Sequence, residues 1–142
     1  MENEELDKIT EMLCTKSVLK QDVFKNTVDQ FQVLKKVAIS LVDRIKEKVC
    51  SKDDRIIIDY HEKSKYEFHI ILAGDILVFN LHSNVFKFDE NHTIWKTPYL
   101  EEDESRGYTG IINVYNFLSD SFRFNRVNDF GYLIGRLFVN NE

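Results

Sequence analysis

From Phe24 to Val49 an apolar residue recurs every three or four positions: Phe24, Val28, Phe31, Leu34, Ala38, Leu41, Ile45, Val49. That spacing places one continuous apolar line along an α-helix, with Lys25, Asp29, Lys36, Asp43, Lys46, Glu47 and Lys48 turned mainly to solvent. The pattern predicts a helix over about 17–50, stopped by Ser51-Lys52-Asp53-Asp54. At 1.5 Å per residue it is ~50 Å long, more than a small sheet needs, so one end is expected to overhang and meet a partner. A shorter helix over 4–14, carrying Leu6, Ile9 and Leu13, is expected to fold back against it.

From Arg55 the period changes to two. Residues 55–61, 66–73, 76–82 and 85–89 read as consecutive strands with turns at Lys63-Ser64-Lys65, Gly74-Asp75 and Ser83-Asn84, which is a β-meander. Later strands are predicted over 92–95, 109–117, 122–127 and 132–139. The stretch 97–107 holds the only proline, Pro98, and the acid run Glu101-Glu102-Asp103-Glu104, and reads as a long loop. Helices followed by strands without alternation indicate an α+β fold, a helical segment (1–53) packed on a mainly antiparallel sheet (54–142) within a single domain.

The 142 residues are 43% hydrophobic and 13% aromatic, enough for a packed core. Net charge is −5, and neither half carries a basic stripe, so a nucleic-acid partner is not expected. Cys14 and Cys50 lie far apart and read as reduced thiols. The acidic N-terminus has no apolar core of a signal peptide, and no run approaches the roughly 20 residues of a membrane span. The expected location is cytoplasmic, without membrane attachment.

The meander has two faces of different kind. With Gly74-Asp75 as a two-residue turn, Phe68, Ile70 and Leu72 share a face with Leu77, Phe79 and Leu81, joined by Ile56, Ile58, Tyr60, Phe86 and Phe88. The opposite face has cross-strand rows Asp59, His69, Asn80, Lys87 and His61, Glu67, His82, Val85. Asp59, His61, Glu67, His69, Asn80 and His82 therefore form a candidate polar-face site, since histidine beside carboxylate is the basic unit of acid–base and metal chemistry. The plainer reading is a solvated or dimer-contact face, and the lack of H-x-x-x-H or C-x-x-C spacing favours it. Ile71 and Val78, on the same face, point to partial cover.

After Lys96 every basic side chain other than histidine is arginine. Arg123, Arg126 and Arg136 form a second candidate site, for a small anion such as a nucleotide, with ion pairs to Glu101–Glu104, Asp120 or Asp129 as the alternative. Trp95, Pro98, Tyr99 and Tyr108 form either a binding lip or the end of the core. Gly131 and Gly135 read as bulges or tight approaches. No nucleophile motif, metal-ligand set or cofactor fingerprint is present, so no catalytic residue, metal or cofactor is assigned.

These features lead to the expectation of a non-enzymatic interaction or ligand-sensing domain acting as a homodimer, its partners a second copy, another protein or a small anionic ligand. The alternatives are a small hydrolase using the His/Asp/Glu cluster, or an anion binder using the arginines.

Overall fold

The computed structural model describes residues 1–142. A long N-terminal helix packs on a six-stranded antiparallel sheet, an α+β arrangement. The helix consists of α1 (Glu2–Met12), a π turn (Leu13–Ser17) and α2 (Val18–Cys50) in unbroken succession. The fold-back expected at residue 14 does not occur. Cys14-Thr15-Lys16-Ser17 contains no glycine or proline to stop a helix. Thr15 instead donates its hydroxyl to Glu11 O at 2.8 Å, the back-bonding that lets a turn widen without ending. No residue of α1 or the π turn is buried. At its other end α2 stops at Cys50, as expected, where Ser51 Oγ donates to Lys48 O.

Strands β1 (Ile58–Ser64), β2 (Glu67–Leu72) and β3 (Asp75–Leu81) form a meander. They are followed by β4 (Phe86–Lys87), β5 (Tyr108–Leu118) and β6 (Tyr132–Val139). The order is β1-β2-β3-β5-β4, with β6 also on β5. β3 therefore pairs with β5 and not with β4, which keeps only two residues, Phe86 opposite Thr109 and Lys87 opposite Tyr108.

Both hairpins differ from the expected register by two residues. Leu72 faces Asp75 across an Ala73-Gly74 turn, with Ala73 at φ 55°. Ile58 faces Leu72, and a bulge between Glu62 and Ser64 absorbs the extra residue before the Lys65-Tyr66 turn. Starting β3 at Asp75 lets seven residues of it pair with β5. Because side chains alternate with period two, an even shift leaves every residue on its expected face. The exceptions are Ile56, which lies before β1 and outside the sheet, and residues 85–88, whose strand β4 pairs with β5 and not with β3.

Two other expected strands take different form. Residues Thr93–Lys96 are a 3-10 turn, capped by the His92 ring accepting from Ile94 N. Residues 122–127 are not extended: α4 (Ser119–Arg123) takes in Phe122, and Asn125 turns the chain at φ 50°. A short helix, α3 (Pro98–Glu102), starts with Pro98 in its first turn.

The residues group into two compact units. One comprises Val28–His82 and Ile112–Leu137. Its core sets Phe31, Ala38 and Val42 of α2 with Ile58, Phe68 and Ile70 of the meander, the Phe31 and Phe68 rings 5.3 Å apart. Lys35, 5% exposed, lies along the same helical line. Its ammonium reaches Glu62 of β1 and donates to Lys65 O. The other unit comprises Met1–Thr27, Ser83–Ile111 and Phe138–Glu142. Val23, Thr27, Leu100 and Thr109 are buried within it. Trp95, half-buried, lies on the buried Gly107, where an added Cβ would meet its ring carbon Cζ2 at 2.9 Å, so one side of this tryptophan packs against the chain itself. Arg106 stacks 4.3 Å from the Tyr99 ring and pairs with Glu102 and Glu142, which hold its guanidinium pKa above the ordinary value. No helix is long and apolar enough to cross a membrane.

Candidate ligand site on the second face of the sheet

Glu67 and His69 stand two apart on β2, so both project from the face opposite the helix. His69 Nε2 lies 2.8 Å from Glu67 Oε2, and Asn80 Nδ2 on β3 donates to Glu67 Oε1 at 3.2 Å. The Glu67 carboxylate thus has one oxygen for each neighbour. The His69 side chain is 12% exposed, and the Phe122 ring covers it at 5.4 Å. In the neutral tautomer that donates from Nε2 to Glu67, the imidazole would keep its Nδ1 lone pair for another donor.

Above this floor is a cavity of about 330 Å³. Its walls are aromatic: Tyr115 and Phe117 from β5, and Phe122 from α4. Phe122 meets Phe117 edge-on, with centroids 5.1 Å apart. Tyr115 stands opposite Val78, and Phe117 opposite Ile76. Lys63 supplies the one cation at the rim. Such a pocket suits a planar apolar body carrying a polar or anionic group.

The structure brings together Glu67, His69 and Asn80 from the candidate polar-face site. The two-residue shift separates the other expected rows. His61 lies opposite His69 and Asp59 opposite Ile71, while Glu67 faces Asn80 in place of His82. Asp59 and His61 make their own contact at 3.6 Å, with Lys46 of α2 3.9 Å from Asp59. His82 follows β3 directly, outside the paired residues. Lys87 and Val85 belong to β4 and its approach and are not in these rows. No three His, Cys, Asp or Glu side chains converge closely enough to hold a metal ion. Both cysteines are free and exposed.

Two of the three arginines share one aromatic ring, and the third lies elsewhere on β6. Arg123 and Arg126 lie 5.4 and 5.6 Å from the Phe124 ring, and Arg126 is 4.0 Å from Asp129. Arg136 on β6 donates to Asn113 Oδ1. Asp129 also accepts from the buried Ser121 hydroxyl at 2.7 Å, which ties the loop after α4 to its own helix.

The aromatic walls were not part of the sequence-derived site. Tyr115 and Phe117 are recognisable as alternate residues of β5, but only its pairing with β3 puts them beside His69. Phe122 needs the helical turn at Ser119, whose signal the Phe-Arg-Phe-Asn-Arg alternation hides. Comparison of the chain with protein-family models, curated proteins and solved structures finds no match.

Proposed function

We propose that the protein is a non-enzymatic interaction and ligand-sensing domain that acts as a homodimer, with its ligand received over Glu67 and His69. The observation that carries this reading is the aromatic cavity itself. Three rings wall a space sized for a small molecule, and its polar floor is already hydrogen-bonded and mostly shielded from water. A pre-organised floor of this kind orients a bound group at little entropic cost. The self-association in this reading draws on the exposed apolar side chains of the N-terminal helix.

Thermal denaturation of the protein with benzoate and phenyl phosphate as probes tests the ligand reading, because a ligand of the native state raises the midpoint with concentration. The expected result is a concentration-dependent rise that Phe122→Ala and His69→Ala both abolish. No rise with either probe, or one indifferent to both substitutions, overturns it.

A hydrolase reading has one specific observation in its favour, the carboxylate that orients the His69 ring. It predicts turnover of activated esters or phosphodiesters that disappears in His69→Ala. On the ligand-sensing reading no turnover is expected.

A further inference from the structure

The N-terminal helix carries a surface that nothing in the molecule covers. Leu6, Ile9, Met12, Leu13 and Val18 are each more than half exposed. The charges along the same helix are sorted. Glu2, Glu4, Glu5, Asp7 and Glu11 precede the π turn with only Lys8 among them, while Lys16 within that turn and Lys20 and Lys25 after it are accompanied only by Asp22. A parallel pair of such helices would set acid against acid and base against base. An antiparallel pair sets each block against its opposite.

We propose that residues 2–25 pair antiparallel with the same segment of a second copy of this chain, about a two-fold axis near Leu13 and Cys14. That axis puts Glu2 opposite Lys25, Asp7 opposite Lys20 and Glu11 opposite Lys16, against one like-charged pair, Glu5 with Asp22, each pair repeated by symmetry. Ile9 falls opposite Val18, both exposed in the single chain. One stretch of helix thus supplies both halves of its own complement, which a two-fold interface requires and an unrelated partner would have to match by separate means. The exposed apolar groups amount to about 500 Å² per copy, and with the stems of the flanking Lys and Glu the interface approaches the roughly 800 Å² per partner of stable complexes. Surface ion pairs at this density make the association salt-sensitive.

The inference rests on the homodimer in the proposed function, and two measurements keep the two apart. Sedimentation equilibrium of the full chain reads whether it associates at all. Pulsed electron–electron spin resonance then locates the interface, using nitroxide on Cys14 in a Cys50→Ser chain, and nitroxide at position 3 in an Asn3→Cys, Cys14→Ser, Cys50→Ser chain. The antiparallel arrangement predicts a 14-to-14 distance under about 25 Å and a 3-to-3 distance of about 30–40 Å, from the helical rise. Two short distances indicate parallel helices and overturn the proposal. A dimer without coupling at Cys14 also overturns it but leaves the homodimer standing, and a monomer at about 100 μM and low salt removes both, since that bounds Kd above the range of specific dimers. Lys16→Glu with Lys20→Glu, both on exposed positions, is expected to weaken association at least about tenfold with the thermal midpoint of the dissociated protein unchanged. Unchanged association overturns the charge-matched pairing.

Discussion

Gly110 of β5 presses directly on Thr27 of α2: a methyl group on Gly110 would come within 2.8 Å of Thr27 Cβ and closer still to its hydroxyl. Thr27 is fully buried, and its hydroxyl donates to Val23 O at 2.7 Å, so it has no room to yield. Gly110→Ala is expected to destabilise by about 2–3 kcal/mol through overpacking. Thr27→Ala alone should cost about 1–2 kcal/mol. In the double variant the two costs should fall short of their sum by at least about 1 kcal/mol, because one change makes space for the other. Urea denaturation of the three variants measures this, and simple additivity would contradict the contact.

Ala73 takes the left-handed position of the β2–β3 turn, and Gly74 beside it does not. A Cβ costs roughly 1 kcal/mol in that region. Ala73→Gly should therefore hold or raise stability by up to about 1 kcal/mol, despite glycine's greater freedom in the unfolded chain. Gly74→Ala should be close to neutral, since an added Cβ meets nothing within 4 Å. The midpoints of chemical unfolding decide; a large loss in Gly74→Ala would place the strained residue wrongly.

The Tyr60 hydroxyl is buried without a hydrogen-bond partner. Tyr60→Phe is expected to be neutral or stabilising by about 1 kcal/mol, because it removes a polar group left unpaired. Burial, and then the nearby Glu62 carboxylate, hold the phenol's pKa above its ordinary 10.0. A group raised in this way contributes stability that is intact below the unfolded-state value and lost as pH climbs through the folded one. The wild type should accordingly lose stability above about pH 10 more steeply than Tyr60→Phe. Parallel curves for the two proteins would assign the alkaline loss elsewhere.

Lys35 combines a buried stem with an ammonium that reaches Glu62, which is 53% exposed at its side chain. Removing the stem should cost far more than removing the charge, because Glu62 can return to water. Lys35→Ala is expected to lose about 2–3 kcal/mol and Lys35→Met less than about 1. Equal losses would locate the stabilisation in the ion pair.

The long helix was legible because a single apolar line runs through it, and β6 because Tyr132 to Val139 meets no competing signal. The two faces of the meander were legible for a subtler reason. The hairpin registers were each misread by two residues, yet Phe68, Ile70, Leu77 and Phe79 stayed together, as did Glu67, His69 and Asn80. What sequence spacing cannot supply is which distant strand lies alongside β3. Val85–Asp89 is adjacent in the chain, whereas Tyr108–Leu118 is longer and offers seven paired residues to β3. That competition between proximity and pairing length placed Tyr115 and Phe117 beside His69 and removed Lys87. Phe122 was hidden because alternation in five residues suits a strand and a frayed helix alike.

The π turn at Leu13–Ser17 has a consequence for how this helix can change. In an uninterrupted α-helix, residues 6, 9, 13, 16, 20, 23 and 27 form one line, so Leu6, Ile9 and Leu13 would continue the row that Val23 and Thr27 bury. A widened turn holds one residue more and rotates everything before it by about 100°. Rewinding that turn to α form with no residue lost would swing the first three turns back into phase with the protein's own interior, whereas deleting one residue there would close the turn and leave their facing unchanged. The length of one turn, and not the identity of any apolar residue, decides whether that row belongs to the chain itself or is offered to a neighbour.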